Sequence, residues 1–236
     1  MDSSDLLEAN QAPSQPSLTE DIGMGPRYYK AAAKGKFDVF SGFGERLNQL
    51  LTPNRNTVLH IHLTSLIEES ESSTVFVREI LRECPILLWQ ANVKGETPLH
   101  IAAKYGHVPI VKVLIERAKS LQEDLESGAS NMVKEMLQMT NNEKDTVFHE
   151  AVRGNHLEVV ILLIQEDPYI SYSQNDAGET PLYMAMERGF EKVMYCILEK
   201  CKSLAHDGPL GRTTLHAAVI RENKGNAYLL SIGLFH

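Results

Sequence analysis

The stretch Gly95–His107, GETPLHIAAKYGH, decides the fold because it returns along the chain. Versions of its first six residues recur as RNTVLH at 55–60, KDTVFH at 144–149, GETPLY at 178–183 and GRTTLH at 211–216. A weaker copy, YYKAAAKGK at 28–36, puts Tyr29 at the histidine position and aligns Ala31, Ala32 and Gly35 with Ala102, Ala103 and Gly106. The marker falls at 29, 60, 100, 149, 183 and 216, with separations of 31, 40, 49, 34 and 33. Three intervals near 33 and two longer ones describe one supersecondary unit repeated six times, with insertions in the second and third copies.

Each unit reads as a pair of helices. Pro98 suits a helix first turn, where its missing N–H costs nothing, and Thr97 ahead of it can accept from an orphan N–H. Ala102 and Ala103 let this short helix approach a neighbour closely, and Gly106 ends it. A second apolar run then follows: Val108, Val111, Leu114 and Ile115 in one copy, Leu157, Val159, Val160, Leu162 and Leu163 in another, spaced for a buried helical face. A second helix is therefore expected after each marker. One pair is too small for a core, so neighbours must stack, each buried Leu or Val contributing about 1.5–3 kcal/mol.

A period near 33 carrying Thr-Pro-Leu-His-x-Ala resembles the ankyrin repeat, from about residue 27 to the end. The resemblance implies an all-α solenoid of stacked helix-turn-helix units. It also implies that His60, His100, His149 and His216 hydrogen-bond within and between repeats at the turn. Tyr29 and Tyr183 at the same position suit a structural peg, not a catalytic or metal-binding group. The expected organisation is a disordered acidic tail at 1–26, a repeat domain at 27–222 with five repeats and the start of a sixth, and a divergent tail at 223–236.

Composition narrows the function. The chain has 236 residues, 43% of them hydrophobic, with 23 basic against 31 acidic residues for a net charge of −8. Five of the acids, Asp2, Asp5, Glu8, Glu20 and Asp21, precede the first basic residue, Arg27. No broad basic face is suggested, so nucleic acid is not an expected partner. Three cysteines without CxxC spacing, and no Asn-x-Ser/Thr sequon, point to a reducing compartment. No secretory leader is read near the start, and apolar runs such as Val159–Ile164 are too short to span a bilayer.

Catalytic or metal chemistry is not expected. His149-Glu150 opens like a zinc-protease signature, but the next histidine is His156, beyond Gly154 and Asn155, and not four residues on. His60 and His62 should point to different sides of a helix. Cys196 and Cys201 do not converge, and GMGPR at 23–27 lacks the strand and lysine of a phosphate loop. No nucleophile, base and oxyanion donor assemble, so no enzyme activity, cofactor or metal is expected. Trp89 reads as core, whereas Tyr105 faces the groove.

Ankyrin stacks bind partners on a concave surface of turn tips and first-helix faces. Carried over by the resemblance, these positions are Val93, Lys94, Glu96, Lys104 and Tyr105 in the third copy, and Asn142, Glu143, Asp145 and Arg153 in the fourth. They continue as Asp176, Ala177, Glu179, Glu187 and Arg188 in the fifth, and Arg212 and Arg221 in the sixth. A protein or peptide of complementary charge, anchored on Tyr105, is the expected ligand. The insertions are a second candidate, the longer one expected to cover the apolar flank of its own repeat, with a Met-rich docking edge as the alternative. Glu68–Thr74, EESESST, is expected to widen a loop, and within Lys119–Met139 the spacing of Met132, Val133, Met136 and Leu137 predicts a third helix.

The insert, the run at 139–189 and GPLGRTTLHAAVIR at 208–221 are together similar to the plant accelerated-cell-death ankyrin family. That similarity implies a regulator of plant defence or cell death, built from cytosolic repeats followed by a block of membrane-spanning helices. It implies a cytoplasmic location, peripheral at the plasma membrane through a partner, with a full-length membrane homologue among the partners. The alternative it carries is the cytosolic regulatory part of a membrane channel or transporter-like protein. This chain departs from the family after Glu222, where NKGNAYLLSIGLFH replaces the second helix and no membrane block follows, as expected of a truncated product.

Overall fold

The structure, a computed structural model, describes residues 23–67, 70–124, 131–170, 174–202, 204–205 and 207–220. The tails at 1–22 and 221–236, with Arg221, lie outside the described residues. Eleven α-helices make up this part of the chain: α1 (Pro26–Ala33), α2 (Val58–Ser65), α3 (Glu71–Glu83), α4 (Pro98–Tyr105), α5 (Val108–Asp124), α6 (Met132–Gln138), α7 (Val147–Arg153), α8 (Leu157–Glu166), α9 (Pro181–Arg188), α10 (Glu191–Lys200) and α11 (Thr214–Ile220). The described residues contain isolated bridges but no strand. Helices α1, α2, α4, α7, α9 and α11 stack in sequence as an inner layer, and α3, α5, α8 and α10 form an outer one. This is the all-α solenoid that the repeat implied.

The marker residues build each inner helix. Thr57, Thr97 and Thr146 are N-caps whose hydroxyls accept from the N–H of His60, His100 and His149. Each imidazole answers: Nδ1 accepts from the threonine N–H at 3.2–3.3 Å and from its hydroxyl at 2.8–2.9 Å. The opposite nitrogen, Nε2, donates to the carbonyl of Glu96, Asp145 and Glu179 at 2.8, 3.3 and 3.2 Å, in the turn of the following repeat. One neutral ring thus caps its own helix and fastens the next unit. At Tyr183 this bond is absent, and Thr180 instead donates its N–H and hydroxyl to the carbonyl of Asp207.

A second set of imidazoles points backwards. His62 Nδ1 donates to Ala32 O at 3.0 Å, His107 Nε2 to Leu63 O at 3.0 Å and His156 Nε2 to Lys104 O at 2.9 Å. His60 and His62 therefore serve opposite neighbours, as their spacing suggested. His149 and His156 do the same, one facing the fifth repeat and the other the third. Among the described residues no three His, Cys, Asp or Glu side chains gather to hold a metal ion.

The core runs continuously between the layers, from Phe40, Leu47 and Phe76 through Leu99, Val111 and Leu114 to Val160, Leu182 and Ile197. Met136, Leu137 and Val133 of α6 are buried in it, so the third-repeat insert contains the predicted third helix and covers its own repeat. Cys84, Cys196 and Cys201 are buried and outside any disulfide, and Trp89 packs partly buried against the core.

Three sequence expectations need correction. The first repeat has no second α-helix: Gly42 and Gly44 adopt φ of 82° and 54°, and the chain instead makes short 3-10 turns at Phe37–Val39 and Gly44–Gln49. Phe40 still fills the space, facing Phe76 at 6.1 Å. EESESST is not all loop, because Ser70 caps α3 and Glu71–Thr74 form its first turn. Residues 23–26, assigned to the tail from the sequence, are part of the described fold, where Met24 N–H donates to Leu51 O at 2.7 Å.

Two predictions follow from this wiring. Burial lowers His100 from 6.5 to about 4 and also lowers His60. As pH falls below about 6.5 the unfolded chain takes up protons that the folded chain refuses, so stability present at neutral pH is lost towards pH 4. His100 alone should cost on the order of 2 kcal/mol between pH 7 and pH 5. Urea melts of His100→Gln should show a flatter pH dependence over that range than the parent. Glu150 is raised by burial and acts in the opposite sense, so the difference between the two chains is the informative quantity. Gly106 closes α4 at φ 76°, and a methyl there would overlap the His156 ring. Gly106→Ala should therefore destabilise the chain by more than about 1 kcal/mol in the same melts.

Candidate functional site

The turn tips form a ladder along the concave side. Each tip is closed by its own backbone, with Asn92, Asn141 and Asn175 N–H donating to Glu96, Asp145 and Glu179 O at 2.9–3.1 Å. Adjacent tips are bonded too: Val93 N–H to Asn54 O, Asn142 N–H to Lys94 O and Asp176 N–H to Glu143 O, at 2.9–3.0 Å. The three asparagines also accept through Oδ1 from the N–H four residues on, at 2.9–3.1 Å. Their position, five residues ahead of each capping threonine, is readable in the sequence, and sequence reasoning passed over it.

Behind the tips lies a line of buried charge. Glu96 is 5% exposed; its Oε1 accepts from Lys104 Nζ at 2.8 Å and its Oε2 from Asn92 Nδ2 at 3.0 Å. Asp145 is fully buried, its Oδ2 2.7 Å from Arg153 and its Oδ1 accepting from Asn175 Nδ2 at 2.8 Å. Burial pushes both carboxyls up, but these partners outweigh it and hold both below their ordinary values. Glu150 is 2% exposed, with Oε1 3.1 Å from Arg153 and 3.3 Å from Asn141 Nδ2. Here burial wins and the carboxyl is raised. Glu179 and Arg188 stand 3.9 Å apart one repeat further on.

The sequence-derived site residues thus divide. Lys94, Glu143, Asp176, Glu187 and Arg212 are exposed, with Asp176 2.6 Å from Lys144. Tyr105 is 49% exposed and stacks on His107, ring centroids 6.0 Å apart. Lys104, Arg153, Glu179 and Arg188 are half-buried. Glu96 and Asp145, expected on the binding surface, are buried, each carboxylate engaged by one cation and one asparagine. Two cavities open on either side of the Lys104–Glu96 pair. One of about 270 Å³ lies by Asn54, Asn56, Thr64 and Tyr105, and one of about 430 Å³ lies by Asn142, Glu143, Glu150 and Arg153. Glu150 is the site residue that sequence reasoning missed: it was weighed only as part of a zinc signature.

The frame has a test. Asn175→Ala removes the partner of Asp145 Oδ1 and a bond that closes the fifth tip. It should lower unfolding free energy by about 1–3 kcal/mol in denaturant melts, whereas Asp176→Ala at the exposed tip should cost under about 0.5 kcal/mol.

Comparison with known proteins agrees with this architecture. The model for ankyrin repeats, in three copies, matches residues 29–124, 90–176 and 122–205. The chain is similar to Protein ACCELERATED CELL DEATH 6 of Arabidopsis thaliana, 25% identical over 185 residues, which are 76% of this chain and 27% of that protein. It is 33% identical to Leucine-rich repeat serine/threonine-protein kinase 1 of Caenorhabditis elegans over 113 residues, 48% of this chain and 4% of that one. Against the Nuclear factor NF-kappa-B p105 subunit of Mus musculus it is 27% identical over 140 residues, 58% of this chain and 13% of the other. The chain therefore spans only a minor part of the relatives it matches.

Proposed function

The chain belongs to the ankyrin-repeat family, and on that premise we propose that its tips and concave groove bind a protein segment in plant defence or cell-death signalling. Ankyrin repeats are protein–protein interaction modules, and among the described residues no helix is long and apolar enough to cross a membrane. The observation that carries the reading is the division of labour at the tips. Buried ion pairs and asparagines fix the tip backbone, while Val93, Lys94, Glu143 and Tyr105 stand exposed on that rigid frame. A large aromatic ring half in solvent beside opposite charges is the composition of a binding anchor with a polar rim. The signalling context is supported by the similarity to ACCELERATED CELL DEATH 6, which extends over 76% of this chain. A cytoplasmic location is part of the same proposal.

Affinity capture from plant extract tests it. A chain carrying Lys94→Glu, Tyr105→Ala and Glu143→Lys changes only exposed side chains, so its melting temperature should move little. It should lose its main captured protein, with affinity reduced at least tenfold, about 1.4 kcal/mol. An unchanged captured set would move binding away from the tips, and capture of no cell-death or defence component by the parent would remove the signalling assignment.

A further inference from the structure

In five of the six copies the marker residue, a histidine or Tyr183, is followed by a residue that the fold buries. In four copies it is apolar: Ile61, Ile101, Met184 and Ala217, all 3% exposed or less. In the fourth repeat it is Glu150, as buried as its siblings. A carboxyl at an apolar position carries a desolvation cost that no packing need explains. Its Oε1 has Arg153 and Asn141, but its Oε2 is buried with no hydrogen-bond partner. The buried cluster around it holds three carboxylates, Glu96, Asp145 and Glu150, against two cations, Lys104 and Arg153. It is one cation short. At the exposed rim Lys94 and Glu143 offset each other, so the deficit stays inside. Glu150 also lines the cavity of about 430 Å³ between the third and fourth tips, which has room for a long side chain.

We infer that this cavity receives one lysine or arginine side chain from an extended segment of the protein partner, with Glu150 as its counter-ion. The inference rests on the protein-binding reading above and names what that groove selects. An arriving ammonium or guanidinium supplies the missing charge and a donor for the Glu150 carboxylate, and because that carboxylate is already desolvated in the free chain, only the incoming cation is dehydrated on pairing. A neutral or acidic side chain in the same place leaves the carboxyl unpaired or adds a like charge. The groove therefore discriminates by charge, and the cost of burying Glu150 in the free chain is the signature of a group kept for binding.

The probes are four pools of capped nonapeptides with random uncharged flanks and a fixed central Lys, Arg, Gln or Glu. Each is titrated against the parent chain, Glu150→Gln and Glu150→Met by fluorescence polarisation. The parent should bind the Lys or Arg pool at least about tenfold tighter than the Gln and Glu pools, and both variants should lose that preference. Glu150→Met, which copies the residue found at Met184, should melt about 2–4 °C higher than the parent. Equal binding of all pools by the parent, a charge preference surviving in Glu150→Met, or a lower melting temperature for that variant would each overturn the assignment. If the pools do not discriminate while the tip variant above still loses its partner, the groove binds protein without using Glu150. If the tip variant also keeps its partner, the binding face itself is misplaced.

Discussion

The structure depends on an imidazole that must stay neutral. His60, His100 and His149 each accept two bonds at Nδ1 from their own threonine cap and donate one at Nε2 to the next repeat. A proton on Nδ1 would set a donor against two donors, and burial separately lowers the basicity of His60 and His100, so solvation and geometry favour the same neutral ring. Because the accepting carbonyls belong to the tips, the same bond that joins repeats also sets where the tips stand. The second histidine series, running back to Ala32, Leu63 and Lys104, fixes the other end of the inner helices. A repeat held at both ends cannot slide against its neighbour, and a rigid concave face is the consequence.

Upon that frame the charges sort by depth. Carboxylates at the residue before the cap, Glu96 and Asp145, are tied down by Lys104, Arg153 and the asparagines. These pairs are buried enough to matter for tip geometry, whereas the exposed Arg78–Glu116 pair between the outer helices contributes little. Glu150 is the exception, a carboxyl that the frame does not need and does not fully satisfy. Natural sequences depart from local consistency chiefly where function asks for it, and this position is such a departure.

Much of this was legible in the residues themselves. The six markers, the stacking of short alanine-bearing helices, the opposed directions of His60 and His62 and the helix at 132–138 all follow from spacing and residue type. What was not legible has identifiable causes. In the first repeat the apolar residues Phe37, Phe40 and Phe43 suggest a helix, but Gly42 and Gly44 in left-handed conformations win over that pattern. In EESESST the polar composition hid a capped helix start, since Ser70 is an N-cap and not a loop residue. The burial of Glu96 and Asp145 could not be read from charge, because it is decided by partners 8 residues away in sequence or in the next turn. Even so, the asparagine five residues ahead of Thr97, Thr146 and Thr180 was a readable sign that these tips are held internally.

The most direct test is the protonation state of the rings. Long-range nitrogen–proton correlation spectra of the nitrogen-15-labelled chain at pH 7 should show His60, His100 and His149 as neutral Nε2–H tautomers with unprotonated Nδ1. Doubly protonated rings at those three positions under conditions where the chain remains folded would contradict the account, because the bond that joins each repeat to the next tip would then not exist as described.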